Sequence, residues 1–191
     1  MERRSLKIFE ITYTTNMKKK IYSLFLVVCV IFFVAFLYFE LFMFPIKYKD
    51  IVVGVSKKYD LEPALVYAVI KAESDFEKDA SSSVGALGLM QILPSTAKWI
   101  AEEKDEAFKK ENLFSAEVNI EYGCFYLRYL FDKFDDLDIV VCAYNAGETK
   151  VRDWIENGKL VENRIDYAET MGYLRKVRRF YKIYKNKELL V

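Results

Sequence analysis

The chain contains no histidine, and that single absence removes a wide range of chemistry. Ser-His-Asp and Cys-His catalysis, general-base work by imidazole and every zinc site that needs a His ligand are excluded together. The three cysteines, Cys29, Cys124 and Cys142, are too few and too spread for a Cys-only zinc site or a disulfide framework. Prolines and glycines are scarce, 3 and 7 in 191 residues, which leaves little sequence for turns. No large excess of either charge exists, with 29 basic against 28 acidic residues. The basic ones gather at the two ends and leave the middle acidic, whereas a nucleic-acid domain concentrates positive charge across its body, so nucleic acid is not an expected partner. Acidic side chains must therefore carry any proton chemistry, and neither metal nor organic cofactor is expected.

What is present begins with a long apolar run. Ile21 to Phe39 is 19 residues without a charge or a proline, and apolar character resumes after Glu40 through Leu41 to Ile46. At about 1.5 Å per residue such a helix spans a hydrocarbon core of about 30 Å. A cleaved signal peptide would have a shorter apolar region ending at small residues, whereas this one runs on through Phe36, Leu37, Tyr38 and Phe39. Residues 21–46 are therefore expected to be a single transmembrane anchor, with residues 1–20 a short basic cytoplasmic tail. Arg3, Arg4, Lys7 and Lys18 to Lys20 on one side outweigh Lys47 and Lys49 on the other, which places residues 48–191 outside the cytoplasm. Cys29 follows Val28 inside the run, unsuited to lipid attachment, and is expected to face lipid.

Residues 48–191 repeat apolar positions at intervals of three and four, which predicts an all-α domain. Asp60 is expected to cap a helix with Pro63 in its first turn and Leu61, Leu65, Val69, Ala72 and Phe76 on one face. Asp79 to Gly88 reads as a loop and Pro94 as the start of a helix to about Lys104. Ser115 should cap a longer helix to about Phe134, with Val118, Tyr122, Phe125, Leu127, Leu130 and Phe131 in the core. Asp138 should start a short helix ending at Asn145-Ala146-Gly147, followed by Glu148 to Glu156, stopped by Asn157-Gly158. A last helix from about Tyr167 to Asn186 would be apolar at Leu174, Val177, Tyr181 and Tyr184 and otherwise a basic, solvated face. Cys124 and Cys142 are expected as buried free thiols.

Glu73 stands out within this pattern. It lies four residues after Val69 and three after Ile70, so helical geometry puts its carboxylate on an apolar flank. Burial there would raise the carboxyl pKa and make it a proton donor near neutral pH. Periodicity alone equally allows a surface carboxylate near a helix end, with Lys71 and Lys78 nearby.

Three blocks weigh on that choice. Glu73-Ser74 with Ser82, Gly85-Ala86, Gly88-Leu89-Met90-Gln91, Pro94 and Thr96-Ala97 forms the first; Ala143-Tyr144-Asn145-Ala146-Gly147 with Val151 and Trp154 the second; Glu169-Thr170, Tyr173 and Val177 the third. In this order they resemble the catalytic domain of the soluble-type lytic murein transglycosylases, in the lysozyme-like superfamily. The resemblance implies an all-α, lysozyme-like helical domain with a substrate cleft. It makes Glu73 the one catalytic acid and base, and Ser82, Met90, Gln91, Tyr144, Asn145 and Glu169 substrate-binding. Each also has a plainer reading: a loop serine for Ser82, a core side chain for Met90, a local cap for Asn145, and favourable first-turn charge for Glu169.

The implied substrate is peptidoglycan, cut between N-acetylmuramic acid and N-acetylglucosamine. Glu73 would protonate the bridging oxygen and then take the proton of the muramic C6 hydroxyl as it closes on C1, giving a 1,6-anhydro ring without water. Two alternatives stay open: a muramidase, were Asp75 or Asp79 carried into the cleft as a second carboxylate, and a non-catalytic tethered peptidoglycan-binding module. On a regular helix Asp75 would lie about 200° around from Glu73. A cell-envelope assembly is a possible partner.

Overall fold

The computed structural model describes residues 2–158 and 168–188. Two compact units divide at Pro45/Ile46. The first contains α1 (Glu2–Met43), continuous from Glu2, so the expected basic tail is helical as well. Within it Asn16–Phe39, 24 residues, is long and apolar enough to cross a membrane, and none of its surface is buried.

Among the described residues the regular elements of the second unit are all helices, with two isolated antiparallel bridges that join Leu87 to Ser81 and to Ile92. Its elements are α2 (Lys49–Lys58), α3 (Pro63–Glu73), α4 (Pro94–Glu103), a 3₁₀ turn (Lys110–Phe114), α5 (Ala116–Phe134), α6 (Leu137–Ala146), α7 (Glu148–Glu156) and α8 (Ala168–Glu188). Tyr167, expected to open the last helix, lies outside the described residues.

Helix α3 is the centre of the unit. Its sequence, PALVYAVIKAE, is apolar on every side rather than on one stripe, and the structure buries every residue from Ala64 to Ala72. Such a helix must be wrapped by others. Its most extensive partner is α8, while α5, α6 and α7 pack in sequence beside them. At the far end Tyr67, Phe76 and Tyr184 form one aromatic cluster, with the Tyr67 and Tyr184 rings 5.2 Å apart.

The helix stops sooner than its apolar spacing suggests. Asp75 and Phe76 take left-handed φ values of 53° and 65°, so the helix ends at Glu73 and Phe76 reaches the core from a turn. Left-handed backbone costs about 1–2 kcal/mol per residue, and burying a Phe offsets about that much. The same turn removes the premise that Asp75 continues around a regular helix; it is exposed and ion-paired back to Lys71.

One cap and one helix start differ from expectation. Asp60 is left-handed, and Glu62 takes the N-cap position of α3 without a side-chain cap bond, its carboxylate accepting instead from Tyr181 of α8. Helix α6 starts at Leu137, one residue before the expected Asp138, because Asp136 caps it by accepting from the amides of Asp138 and Ile139. Ser115 caps α5 as expected. Along α5 the buried positions are Ala116, Asn119, Ile120, Tyr122, Gly123, Cys124, Leu127 and Leu130, while Val118, Phe125 and Phe131 are half-buried. Helix α2, too short and polar to announce itself, is held by Glu121 of α5, which accepts from Lys58 and Tyr59 and from Lys104 at the end of α4. Cys124 and Cys142 are buried free thiols.

The loop between α3 and α4 hangs on Asn119. This buried α5 side chain accepts from the Met90 amide (2.7 Å) and donates to the carbonyls of Leu87 (2.9 Å) and Leu113 (2.8 Å). Gly88 touches the same amide group. It has φ +77°, and a Cβ there would lie 2.2 Å from Asn119 Nδ2 and 2.3 Å from the Leu113 carbonyl oxygen. Gly85, at φ +84°, faces open space. Gly88→Ala should therefore destabilise by at least about 2 kcal/mol, strain and overlap together, and Gly85→Ala by about 1 kcal/mol from strain alone. Thermal unfolding followed by near-ultraviolet circular dichroism measures both.

Candidate active site

Glu73 is the last residue of α3, where α8 closes over the helix end. Its carboxylate is half-buried, and Tyr173 of α8, 100 positions later, donates its hydroxyl to Oε1 at 2.7 Å. One turn further along α8, Lys176 Nζ donates to the Ala72 carbonyl at 2.6 Å, placing a cation at the electronegative end of α3. Burial pushes the Glu73 pKa up from 4.5; the Tyr173 bond and the Lys176 charge favour the ionised form and hold the rise to about 7. Desolvation wins, so the group is divided between acid and base near neutral pH.

Ser74 ties the helix end to the loop by donating to the Leu89 carbonyl at 2.7 Å. Next along that strip of backbone, the Met90 carbonyl accepts from the Tyr144 hydroxyl at 2.8 Å. Burial raises the pKa of Tyr144 and Tyr173 well above 10, and the Glu73 charge raises both further. Both phenols therefore remain protonated donors on the Glu73 side of the fold.

The other residues singled out from the sequence have mixed placements. The Met90 side chain is fully buried, with its sulfur against Gly123 of α5, so its carbonyl rather than its thioether serves this region. Ser82 is half-buried, and its Oγ accepts from the Ala86 amide at 3.0 Å, closing the turn through Gly85. Gln91, at φ 49°, donates from Nε2 to the carbonyls of Gly88 (2.8 Å) and Ala80 (3.2 Å) and so braces the same loop. Asn145 is exposed and accepts from the buried Thr170 hydroxyl at 3.1 Å, joining α6 to α8. Glu169, next to Thr170, is exposed in the first turn of α8. Asp75, Glu77 and Asp79 are all exposed, and among the described residues the one charge acting on Glu73 is Lys176.

Tyr173, Lys176, Thr170 and Asn119 were not singled out from sequence as site residues. Tyr173 and Thr170 stand in the third block, one helical turn apart, but nothing along the chain says that this turn meets the end of α3. No group of His, Cys, Asp or Glu among the described residues could hold a metal ion.

Removing the Tyr173 hydroxyl leaves desolvation less opposed. Tyr173→Phe should therefore raise the Glu73 pKa above its value of about 7, read by carbon-13 NMR titration of the carboxyl group. An unchanged or lower value would mean that this bond does not hold the carboxylate.

The model of the family described as "Transglycosylase SLT domain" matches residues 51–166. A soluble lytic murein transglycosylase of Salmonella typhimurium is 32% identical over 153 residues, covering 75% of this chain and 24% of that protein. A membrane-bound lytic murein transglycosylase C of Shigella sonnei is 31% identical over 137 residues, covering 66% and 38%. The crystal structure of the 70 kDa soluble lytic transglycosylase of Escherichia coli superposes with a TM-score of 0.71 at 29% identity, covering 76% of this chain and 25% of that one. The chain thus spans about a quarter of the length of its soluble relatives. Matched by the family model over more than half its residues, the chain belongs to the transglycosylase SLT domain family.

Proposed function

We propose that this protein is a membrane-anchored lytic transglycosylase that cleaves peptidoglycan between N-acetylmuramic acid and N-acetylglucosamine, leaving 1,6-anhydro ends. The observation that carries the reading is the half-buried Glu73 with a pKa of about 7, held by Tyr173 and with no carboxylate acting on it among the described residues. Glycosidases that recruit water use two carboxyl groups facing the bond. A single carboxyl group suffices when the second nucleophile is already tethered to the substrate, because its effective concentration replaces an activated water.

In the first step protonated Glu73 gives its proton to the bridging oxygen; the C1–O bond breaks and positive charge develops on the muramic ring. The neighbouring acetamido group of the substrate steadies that charge. Glu73 is now a carboxylate, and Tyr173 and Lys176 both favour that form. In the second step it accepts the proton of the C6 hydroxyl as that oxygen bonds to C1. The acid is restored and no water is consumed. Ser82, Gln91, Tyr144, Asn145 and Glu169 are the candidate contacts for the sugars, on the family resemblance of the blocks that hold them.

Anchoring is supported by the helical stretch Asn16–Phe39, long and apolar enough to cross a membrane, and by the membrane-bound relative. The basic residues before it favour a cytoplasmic amino end with the catalytic unit outside.

Mass spectrometry of muropeptides released from purified peptidoglycan tests the reaction. Wild-type products should each weigh one water less than a hydrolysis fragment and lack a reducible end; ordinary reducing ends would make the protein a muramidase. Glu73→Gln should lower turnover at least about 100-fold. Activity should fall as pH rises through about 7, because the proton donor is lost.

The same shift has a stability consequence. A carboxyl group whose pKa is raised from 4.5 to about 7 on folding destabilises the fold increasingly between those pH values and by a constant amount above them. Glu73→Gln should therefore be more stable than wild type above pH 7, with the gain vanishing below about pH 4.5, measured as the difference in unfolding temperature across pH.

A further inference from the structure

Helix α8 carries seven basic residues, with acidic ones only at its two ends, Glu169 and Glu188. The structure spends part of that charge internally. Arg178 pairs with Asp138 at the start of α6, Lys185 with Glu62 at the N-cap of α3, and Lys176 donates to the Ala72 carbonyl. Arg175, Arg179 and Lys182 are exposed, and among the described residues none of the three has a hydrogen bond or an ion pair.

These three are not scattered. Spacings of four and three residues put them on one flank of the helix, with exposed Asn186 one turn beyond Lys182 on the same line. At about 100° per residue, Arg175, Arg179 and Lys182 lie roughly 160°, 120° and 180° around the helix from Tyr173. Buried Leu174, Val177 and Tyr184 separate the two flanks. Tyr173 is turned to Glu73, so the basic stripe lies on the other side of α8 from the acid and takes no part in its site.

A helix face kept only for solubility intersperses both signs of charge, whereas α8 has no acidic residue from Met171 to Lys187. Unbalanced positive charge along one line calls for an anionic partner, and two of the three groups are guanidinium forks suited to phosphate oxygens. The chain itself favours one source of phosphate. Residues 40–48 alone separate the apolar stretch ending at Phe39 from α2, at most about 30 Å of extended chain. An anchor that holds its own unit on so short a tether keeps lipid phosphates at high effective concentration, an advantage that no free polyanion has.

We propose that Arg175, Arg179 and Lys182 form a docking surface for the anionic phospholipid headgroups of the membrane in which the chain is anchored. The inference rests on the anchoring reading and is independent of the reaction assigned to Glu73. Docked by this flank, the unit turns Tyr173 and Glu73 away from the lipid, toward the side where a wall polymer lies.

Asn186 offers a place for a reporter. The full chain carrying Cys29→Ser and Asn186→Cys is labelled with a fluorophore on the new thiol, Cys124 and Cys142 being buried. It is reconstituted into phosphatidylcholine vesicles with or without about one-third phosphatidylglycerol, each holding a trace of lipid with an energy acceptor on its headgroup. Energy transfer should be larger with phosphatidylglycerol and fall back as salt is raised toward about 1 M. Each cation removed should lower the docked-to-undocked ratio about fivefold, so Arg175→Gln, Arg179→Gln and Lys182→Gln together should bring transfer down to its phosphatidylcholine level. Lys98→Gln, which removes one charge from α4, should change transfer much less than Arg179→Gln. Near-ultraviolet circular dichroism checks that the variants stay folded.

Equal transfer on the two kinds of vesicle, or equal loss in Lys98→Gln and Arg179→Gln, overturns the docking surface. A label that responds to added polyphosphate and not to phosphatidylglycerol also overturns it, and would make the partner a soluble polyanion. Flotation separates this inference from the anchoring reading. A chain that floats with phosphatidylcholine vesicles yet shows no lipid-dependent transfer rejects the docking surface alone. One that floats only with phosphatidylglycerol vesicles rejects the anchor and keeps the basic surface.

Discussion

Burying the carboxyl end of α3 is the constraint around which the second unit is arranged. The helix carries apolar side chains on all sides, so α8 must cover it, and covering it draws Glu73 out of water. Ionising a desolvated carboxylate is costly, and the structure answers only in part, with one phenol and one nearby ammonium. The residual imbalance leaves the group poised near neutral pH. The packing that stabilises the fold and the shift that equips the acid therefore have one origin.

The opposite wall is held by hydrogen bonds rather than by apolar packing. Asn119 satisfies three backbone groups of two loops from a fully buried position. That bracket presents the Met90 carbonyl to Tyr144 and the Leu89 carbonyl to Ser74, so one buried amide braces the backbone that both hydroxyls bond. Left-handed residues cluster nearby, at Asp75, Phe76 and Gln91, where the chain turns too sharply for helix or strand. Strain of that kind persists only where the surroundings over-determine it, and here the buried Phe76 ring and the Gln91 amide bonds do so.

Among the described residues no carboxylate acts on Glu73, and the phenols of Tyr144 and Tyr173 both stay protonated on its side of the fold. The proposed reaction would move one proton out and one back, which a group near its pKa does with least penalty in either direction.

The sequence by itself determined the helical class, the apolar run Ile21 to Phe39, the family, and Glu73 as the residue to watch. Each of these rests on local information: periodicity, run length, block order and the position of one carboxylate relative to Val69 and Ile70. It misjudged the end of α3, since Phe76 continues the apolar spacing but is buried from a left-handed turn. It also misplaced the cap of α3, which is Glu62 rather than Asp60, and started α6 at Asp138 where the helix begins at Leu137 behind the Asp136 cap. Only the tertiary structure decided that Tyr173 meets Glu73 across 100 residues, that the Met90 side chain is core and only its carbonyl serves the site, and that Trp99 joins Tyr126 and Tyr129. Such pairings depend on which helix faces meet, and helix packing is set by the whole core rather than by any segment of the chain.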